Sequence, residues 1–315
     1  MTSGFPHRCA WLTSRSAIDR DGVRIAYESL VPHEPRPGSP VVILLAALAT
    51  SGRLYSQSAG SIAAAGYRVI VVDGRGCGRS ATPPWPWTTS TCAADVIAVL
   101  DQERVARAHM SGASLGGMVA QEIAIRYPER VGALCLSATT GGMPRIDCYD
   151  TGGTSAAIGR YLYALAGRPS RQDAIRQTAS LWLTEEFAAR LKEGGDAWQV
   201  LASLRAERSS RWALLAQIGA LLRHSSWRQL PAIQAPTLIL HGTVDRMISP
   251  RAAAALARRI RRRELRLLPG VGHAIGLQVP ELAVELGLAF VRRHDHLLSE
   301  TVDGCGAPPR ARPPA

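Results

Sequence analysis

A serine in a glycine-rich turn, Ser114, is the residue of this chain best suited to act as a nucleophile. It lies in the stretch 112–117, which reads Gly-Ala-Ser-Leu-Gly-Gly. The apolar run at 105–110 predicts a strand before it, and the helical period of 118–127 predicts a helix after it. Small residues two positions either side of the serine allow a sharp turn that lifts the hydroxyl clear of the strand. A free hydroxyl is a poor nucleophile, so the turn is meaningful only if a base and an orienting acid accompany it.

Both partners follow in the second half of the chain. Asp245 lies in the turn after a buried strand predicted at 237–241, and His273 follows a second apolar run at 264–268. Each therefore lies just beyond the carboxyl end of a strand, the edge at which open α/β sheets place their chemistry. His273 would take the proton of Ser114, while Asp245 would hold the imidazole tautomer and stabilise the imidazolium.

Each of these three residues also has a purely structural interpretation. Ser114 could be a turn serine, Asp245 could cap the following helix, and His273 could be an ordinary loop histidine. We favour the catalytic interpretation because all three are present, in the order serine, aspartate, histidine, and each of the latter two follows a strand.

Two further motifs accompany the serine turn. The segment 73–80 reads Asp-Gly-Arg-Gly-Cys-Gly-Arg-Ser, and 127–131 reads Tyr-Pro-Glu-Arg-Val. The first resembles the loop after the fourth strand of α/β-hydrolases, and the second resembles the end of their nucleophile helix. From about residue 21 to about residue 294 the chain is similar to α/β-hydrolases of the esterase and lactonase type, including the methylesterases of aromatic polyketide pathways. The order of the three candidate residues is also the order that this family uses.

The resemblance implies an oxyanion hole made of two main-chain N–H groups, those of Leu115 and Leu48. After the strand predicted at 41–45 the family usually has His-Gly, whereas this chain has Ala46-Ala47. Main-chain donation does not require a particular side chain, but alanine reaches the backbone conformations of glycine less easily. The missing histidine also removes a polar anchor of the loop. One oxyanion donor is worth about 3–4 kcal/mol of barrier height.

The rest of the pattern predicts an α/β-hydrolase fold, with a mostly parallel central sheet, helices on both faces and an inserted helical cap. Continuous apolar runs typical of buried parallel strands occur at 41–45, 69–72, 105–110, 133–137, 237–241 and 264–268, and 23–28 alternates as an edge strand. We assign 17–140 and 228–298 to one core domain, and expect 1–16 and 299–315 to be flexible. The strandless stretch 141–227 is assigned to the cap, which would exclude water from the serine. Cap helices are predicted at 155–166, 171–183, 185–193, 197–207 and 212–223.

Five side chains are expected to line the substrate pocket: Ala47, Tyr55, Met143, Trp182 and Trp212. No cofactor and no metal are expected. The glycines at 74–78 lack the rest of a phosphate-binding motif. The spacing of 294–296, His-Asp-His, resembles a set of metal ligands, but neighbouring arginines favour a solvated helix end.

Composition and charge do not indicate a nucleic-acid or membrane partner, and the expected partner is a small-molecule acyl substrate. The formal charge is +12, but Lys192 is the only lysine, and the arginine excess is typical of a GC-rich genome. No basic motif interleaved with aromatic residues accompanies it, so we expect no nucleic-acid partner. Six scattered cysteines suit reduced thiols in the cytoplasm. No apolar run has membrane-spanning length and no signal peptide is evident, so we predict a cytoplasmic protein without a membrane partner.

These observations lead to one favoured function and two alternatives. The favoured function is a serine hydrolase that cleaves a carboxylic ester, lactone or thioester of a moderately large apolar compound through an acyl-enzyme. Because one fold hosts many chemistries and the loop at 46–47 is altered, a lyase, cyclase or acyl transferase of a biosynthetic pathway is the first alternative. A non-catalytic ligand-binding protein is the second, and the presence of all three catalytic residue types argues against it.

Overall fold

A single sheet runs through the centre of the structure. The computed structural model describes residues 15–18, 22–84, 86–142, 182–191 and 210–299, with single positions at 173, 176, 179, 180 and 198. Its strands are β1 (Arg15–Ile18), β2 (Arg24–Leu30), β3 (Val41–Leu45), β4 (Arg68–Val72), β5 (Ala108–Ala113), β6 (Val131–Ser137), β7 (Thr237–Gly242) and β8 (Arg263–Leu268). Their order is β1-β2-β4-β3-β5-β6-β7-β8. The β1–β2 and β2–β4 pairs are antiparallel and the remaining pairs are parallel, which confirms the predicted sheet.

Helices cover both faces of the sheet. They are α1 (Ser56–Ala64), α2 (Thr89–Gln102), α3 (Leu115–Arg126), α4 (Glu185–Arg190), α5 (Arg211–Arg223), α6 (Pro250–Arg259), α7 (Ile275–Gln278), α8 (Pro280–Arg292) and α9 (His296–Ser299). Helices α1 and α8 form one core with Val42 and Leu44, whereas α2, α3 and α6 form the other with Ile43. Successive side chains of a strand point to opposite faces, so the apolar run of β3 contributes to both cores.

Several of the predicted strands agree with the structure to within one residue. Strand β3 has the predicted bounds, and β7 and β8 differ from prediction by one residue at one end. Strand β5 begins at Ala108, three residues later than predicted, because the Val105 N–H donates to the Leu100 carbonyl and closes the turn after α2.

The prediction that residues 1–16 form a flexible arm is wrong for its last two residues. Arg15 and Ser16 belong to β1, which pairs antiparallel with β2 at the edge of the sheet. The four residues of β1 show no apolar alternation, since Ala17 is buried but Ile18 is 69% exposed. Pairing with β2, rather than a local pattern, forms this strand.

Most of the predicted cap lies outside the described residues. The helix predicted at 155–166, most of those predicted at 171–183 and 197–207, and Met143 fall there. The predictions at 185–193 and 212–223 correspond to α4 and α5. Gly142 forms an isolated antiparallel bridge with Ser225, so the chain leaves and re-enters the core at adjacent points.

The expectation of a solvated helix end at 294–296 is wrong for Asp295. Its carboxylate accepts hydrogen bonds from His109 Nε2 at 3.1 Å, Tyr67 Oη at 3.0 Å and Arg36 Nη2 at 3.0 Å. The turn after α8 brings this carboxylate to the amino-terminal half of β5, where these donors surround it. These bonds fasten the C-terminal helices to the edge of the sheet opposite Ser114.

A buried histidine, His224, lies where α5 returns to the core. Its Nδ1 lies 2.9 Å from the Thr89 hydroxyl and 3.6 Å from Glu122 Oε1, and its Nε2 has no hydrogen-bond partner within the described part of the chain. Burial lowers the pKa of His224 from 6.5 to about 4. Between these two values the unfolded chain binds a proton that the folded protein does not, so stability falls as the pH falls.

We expect the substitution His224→Gln to reduce the dependence of folding stability on pH. In the wild type, lowering the pH from about 7 to about 4 should remove about 3 kcal/mol of folding free energy through this residue, at about 1.4 kcal/mol per pKa unit. Urea unfolding at several pH values measures the effect, with His296→Gln on the partly exposed α9 as the matched control. Equal pH slopes for the wild type and the His224 variant would refute the assignment.

Candidate active site

Ser114 joins β5 to α3 through a strained backbone. Its φ and ψ are +53° and −117°, in the left-handed half of the map that non-glycine residues rarely adopt. The Ser114 N–H donates to the Ser137 carbonyl at 2.9 Å, and its carbonyl accepts from Thr139 Oγ1 at 2.7 Å. Strain of this kind costs roughly 1–3 kcal/mol and persists only where the surroundings fix it.

The two glycines that flank Ser114 are required by close packing. A Cβ at Gly112 would collide with the carbonyl of Gly116, and a Cβ at Gly116 would collide with the carbonyl of Leu45 at the end of β3. The first turn of α3 therefore lies directly against β5 and β3. This contact fixes both the serine and the N–H of Leu115, which belongs to the first-turn N–H groups that have no partner inside a helix.

His273 is bonded to Asp245 as the sequence predicts. The imidazole Nδ1 lies 2.8 Å from Asp245 Oδ2. The other carboxylate oxygen accepts the N–H groups of Met247 at 2.8 Å and Ile248 at 3.0 Å. With Nδ1 engaged by the carboxylate, Nε2 is the ring nitrogen left to exchange a proton at the site.

A second histidine, His241, also contacts this carboxylate. Its Nε2 lies 3.2 Å from Asp245 Oδ2 and 2.9 Å from the Ile248 carbonyl. Burial alone would raise the pKa of Asp245, but electrostatic attraction to the adjacent His273 ring and the hydrogen bonds from both histidines outweigh burial and lower that pKa well below its usual range. Asp245 is therefore ionised. No sequence motif predicts the role of His241, whose only signal is its position at the end of β7.

The loop that carries His273 is braced by the segment around Trp182. The Ala274 N–H donates to the Trp182 carbonyl at 2.9 Å. Gln278 accepts from the Gly272 N–H at 2.9 Å and donates to Thr184 Oγ1 at 3.3 Å. Main-chain and side-chain bonds thus hold the loop on both sides of the histidine.

The altered loop at 46–50 has a polar anchor that the sequence analysis missed. Gln217 of α5 accepts the Ala49 N–H at 2.8 Å and donates to the Arg75 carbonyl at 2.9 Å. Ala49 has a φ of +56°, and the Thr50 hydroxyl donates to the Ala47 carbonyl at 2.8 Å. The buried amide of Gln217 thereby joins α5 to this loop and to the loop after β4. No local pattern in the sequence marks the residue.

The three catalytic candidates and the predicted oxyanion loop converge on one cavity of about 190 Å³. Ser114, His273 and Leu48 line it, and Asp245 lies behind His273. Of the expected pocket residues, Ala47, Tyr55 and Trp182 also line the cavity. Burial raises the pKa of the Tyr55 phenol, which bonds the backbone at Ala47, so the hydroxyl stays protonated.

The structure does not bring Trp212 to the cavity. This side chain is 78% exposed, whereas Ile218 and Leu221 of the same helix line the cavity. At 100° per residue these two positions lie on the side of α5 opposite Trp212. Trp212 was expected in the pocket because it is large and aromatic, but the residue type does not show which face of α5 contacts the cavity.

The wall of the cavity carries little charge. His273 is the only ionisable nitrogen base on the described wall, which carries no arginine, lysine or carboxylate. In the described ranges no group of three or more histidine, cysteine, aspartate or glutamate side chains could hold a metal ion. Among the described helices none is long and apolar enough to cross a membrane.

Comparison with known proteins places the chain among proteins of one fold. Residues 40–280 match the family described as the alpha/beta hydrolase fold. The pimeloyl-[acyl-carrier protein] methyl ester esterase of Nitrosospira multiformis is 26% identical, covering 80% of this chain and 95% of its own. The enol-lactonase of Burkholderia xenovorans LB400 superposes with a TM-score of 0.70 at 21% identity, over 88% of this chain and all of that one. The esterase EaEST of Exiguobacterium antarcticum gives a TM-score of 0.75 at 21% identity, over 89% of this chain and all of its own.

Proposed function

Because the chain belongs to the α/β-hydrolase fold family, in its esterase and lactonase type, we propose that it cleaves a carboxylic ester, lactone or thioester of an apolar compound through an acyl-enzyme. One observation carries the proposal. The imidazole of His273, held by the ionised Asp245, lines the same cavity as Ser114 on its strained turn.

The proposed reaction has two acyl-transfer steps. Ser114 Oγ attacks the acyl carbon while His273 Nε2 takes its proton, and the imidazolium then protonates the leaving alkoxide or thiolate. His273 next takes a proton from water as the water oxygen attacks the acyl-enzyme. The bond between the acyl carbon and Ser114 Oγ then breaks, the imidazolium returns the proton to that oxygen, and the acid is released. Asp245 keeps the Nδ1–H tautomer and stabilises the imidazolium in both steps.

The oxyanion in both steps would be bound by the N–H groups of Leu115 and Leu48. Packing of Gly116 against β3 fixes the first donor. The second lies in the loop that Gln217 holds at Ala49. This anchoring supports hydrolysis over the lyase or transferase alternative, because the changed Ala46-Ala47 loop still has a polar support. In this proposal residues 141–227 form the cap, of which Trp182, Ile218 and Leu221 face the acyl group.

We expect Ser114→Ala to abolish labelling by a fluorophosphonate probe. Turnover of an activated ester should fall by roughly four to six orders of magnitude in this variant and in His273→Ala, because the serine and histidine act as one unit. Mass spectrometry of the labelled protein and initial rates measure both effects. The matched control is Ser61→Ala, an exposed serine of α1.

Two outcomes would contradict acyl-enzyme chemistry. Loss of product formation in His273→Ala with retention in Ser114→Ala would indicate base catalysis by a lyase or cyclase. Ligand binding by a folded wild type that neither labels nor turns over any acyl compound would indicate a binding protein.

Gln217→Leu should slow catalysis without weakening substrate binding. The change removes the acceptor of the Ala49 N–H and so loosens the loop that presents the Leu48 N–H. Since an oxyanion donor acts mainly in the transition state, we expect kcat to fall by up to about a hundredfold with KM little changed. Steady-state kinetics test this, with the exposed Gln229→Leu as control. A rise in KM alone would assign Gln217 to substrate binding instead.

A further inference from the structure

The cavity at Ser114 does not end at the serine. It continues between the sheet and the helices α1 and α8, inside the core layer on that face. Val42, Ser111 and Cys135 line it from the sheet, and Ile62, Gly287 and Val291 line it from the two helices. These helix residues are far from Ser114 in sequence and have no part in the proposed chemistry.

The strand register gives the depth of this channel. Val42 pairs with His109 of β5, which lies five residues before Ser114. At about 3.3 Å per residue, the channel descends roughly 16 Å below the serine. Its lower end therefore lies near the amino-terminal end of β3, whereas Ser114 and His273 lie at the carboxyl ends of the strands.

The walls of the channel are mostly apolar, with the Ser111 hydroxyl as a polar group, and they carry no charged side chain among the described lining residues. Burial raises the pKa of Cys135 to about 12, so this thiol is neutral and unreactive. On the helix side, Ala283 and Gly287 lie one turn apart on α8 and present little bulk. A Cβ built on Gly287 would meet no atom within 4 Å. A glycine inside a helix is destabilising relative to alanine, and Gly287 leaves open the space that a side chain would fill.

We propose that this channel binds a linear acyl chain, so that the preferred substrates are esters, lactones or thioesters of medium- to long-chain acids. The acyl chain of the substrate passes from the acyl carbon at Ser114 along β5, and its terminal methyl group lies between Val42 and Val291. This inference rests on the proposed function, since the acyl group must be bonded to Ser114 for its chain to enter the channel. Each buried methylene should strengthen binding by about fourfold.

A series of p-nitrophenyl esters from acetate to dodecanoate tests the channel. For the wild type, kcat/KM should rise with chain length. Gly287→Leu places a side chain in the channel, and we expect it to lower the ratio of kcat/KM for the dodecanoate to that for the acetate by roughly tenfold or more. Both glycine and leucine are compatible with α8, and leucine is the better helix former.

The matched control is Gly60→Leu. Gly60 is also a helical glycine with open space at its Cβ position, but it lies on α1 outside the channel lining. This variant should keep the wild-type chain-length profile. A wild-type profile without chain-length preference, or an unchanged ratio in Gly287→Leu, would overturn the channel while leaving hydrolysis by Ser114 intact.

A binding measurement separates failure of the channel from failure of the proposed function. If the wild type turned over no ester, calorimetric titration of Ser114→Ala with acetate, octanoate and dodecanoate would still test the channel. Affinity that rises with chain length and falls in the Ser114→Ala, Gly287→Leu double variant would support the channel and reject only hydrolysis. Equal affinities would overturn the channel.

Discussion

The positive φ of Ser114 is the constraint on which the rest of the site depends. It is possible only because the first turn of α3 lies against the backbones of β5 and β3, an approach that Gly112 and Gly116 permit. Hydrogen bonds to Ser137 and Thr139 then hold the turn from the side of β6. The serine, the N–H of Leu115 and the end of β3 are thus fixed by one packing contact.

A second constraint is the buried charge of Asp245. A carboxylate at this depth is tolerated only with several donors, and here two main-chain N–H groups and two histidines supply them. His241 and the turn at 247–248 support the ionised form, so His273 is oriented by a partner that is itself immobilised. The negative charge beside the His273 imidazole is therefore built into the core and does not depend on a bound ligand.

The sequence predicts those elements that short, local residue patterns encode. The order of Ser114, Asp245 and His273, the bounds of β3 and the alternation of strands and helices all follow from short patterns. It missed β1, which depends on pairing with β2, and it misjudged Trp212, whose face is set by how α5 packs. The anchoring by Gln217 and the channel beside Gly287 join segments more than a hundred residues apart, and no local pattern encodes such contacts.

The amide of Gln217 has one further consequence. Because it bonds the backbones of two core loops at once, α5 cannot shift without either carrying Ala49 along or leaving buried polar groups unpaired. Binding of a ligand in the cavity beneath α5 and the position of the Leu48 N–H are therefore energetically linked. Each affects the other by the same free energy. Under the proposed function, a ligand that immobilises α5 would also position the loop that carries the Leu48 N–H, so binding and reactivity would depend on the same hydrogen-bonded junction.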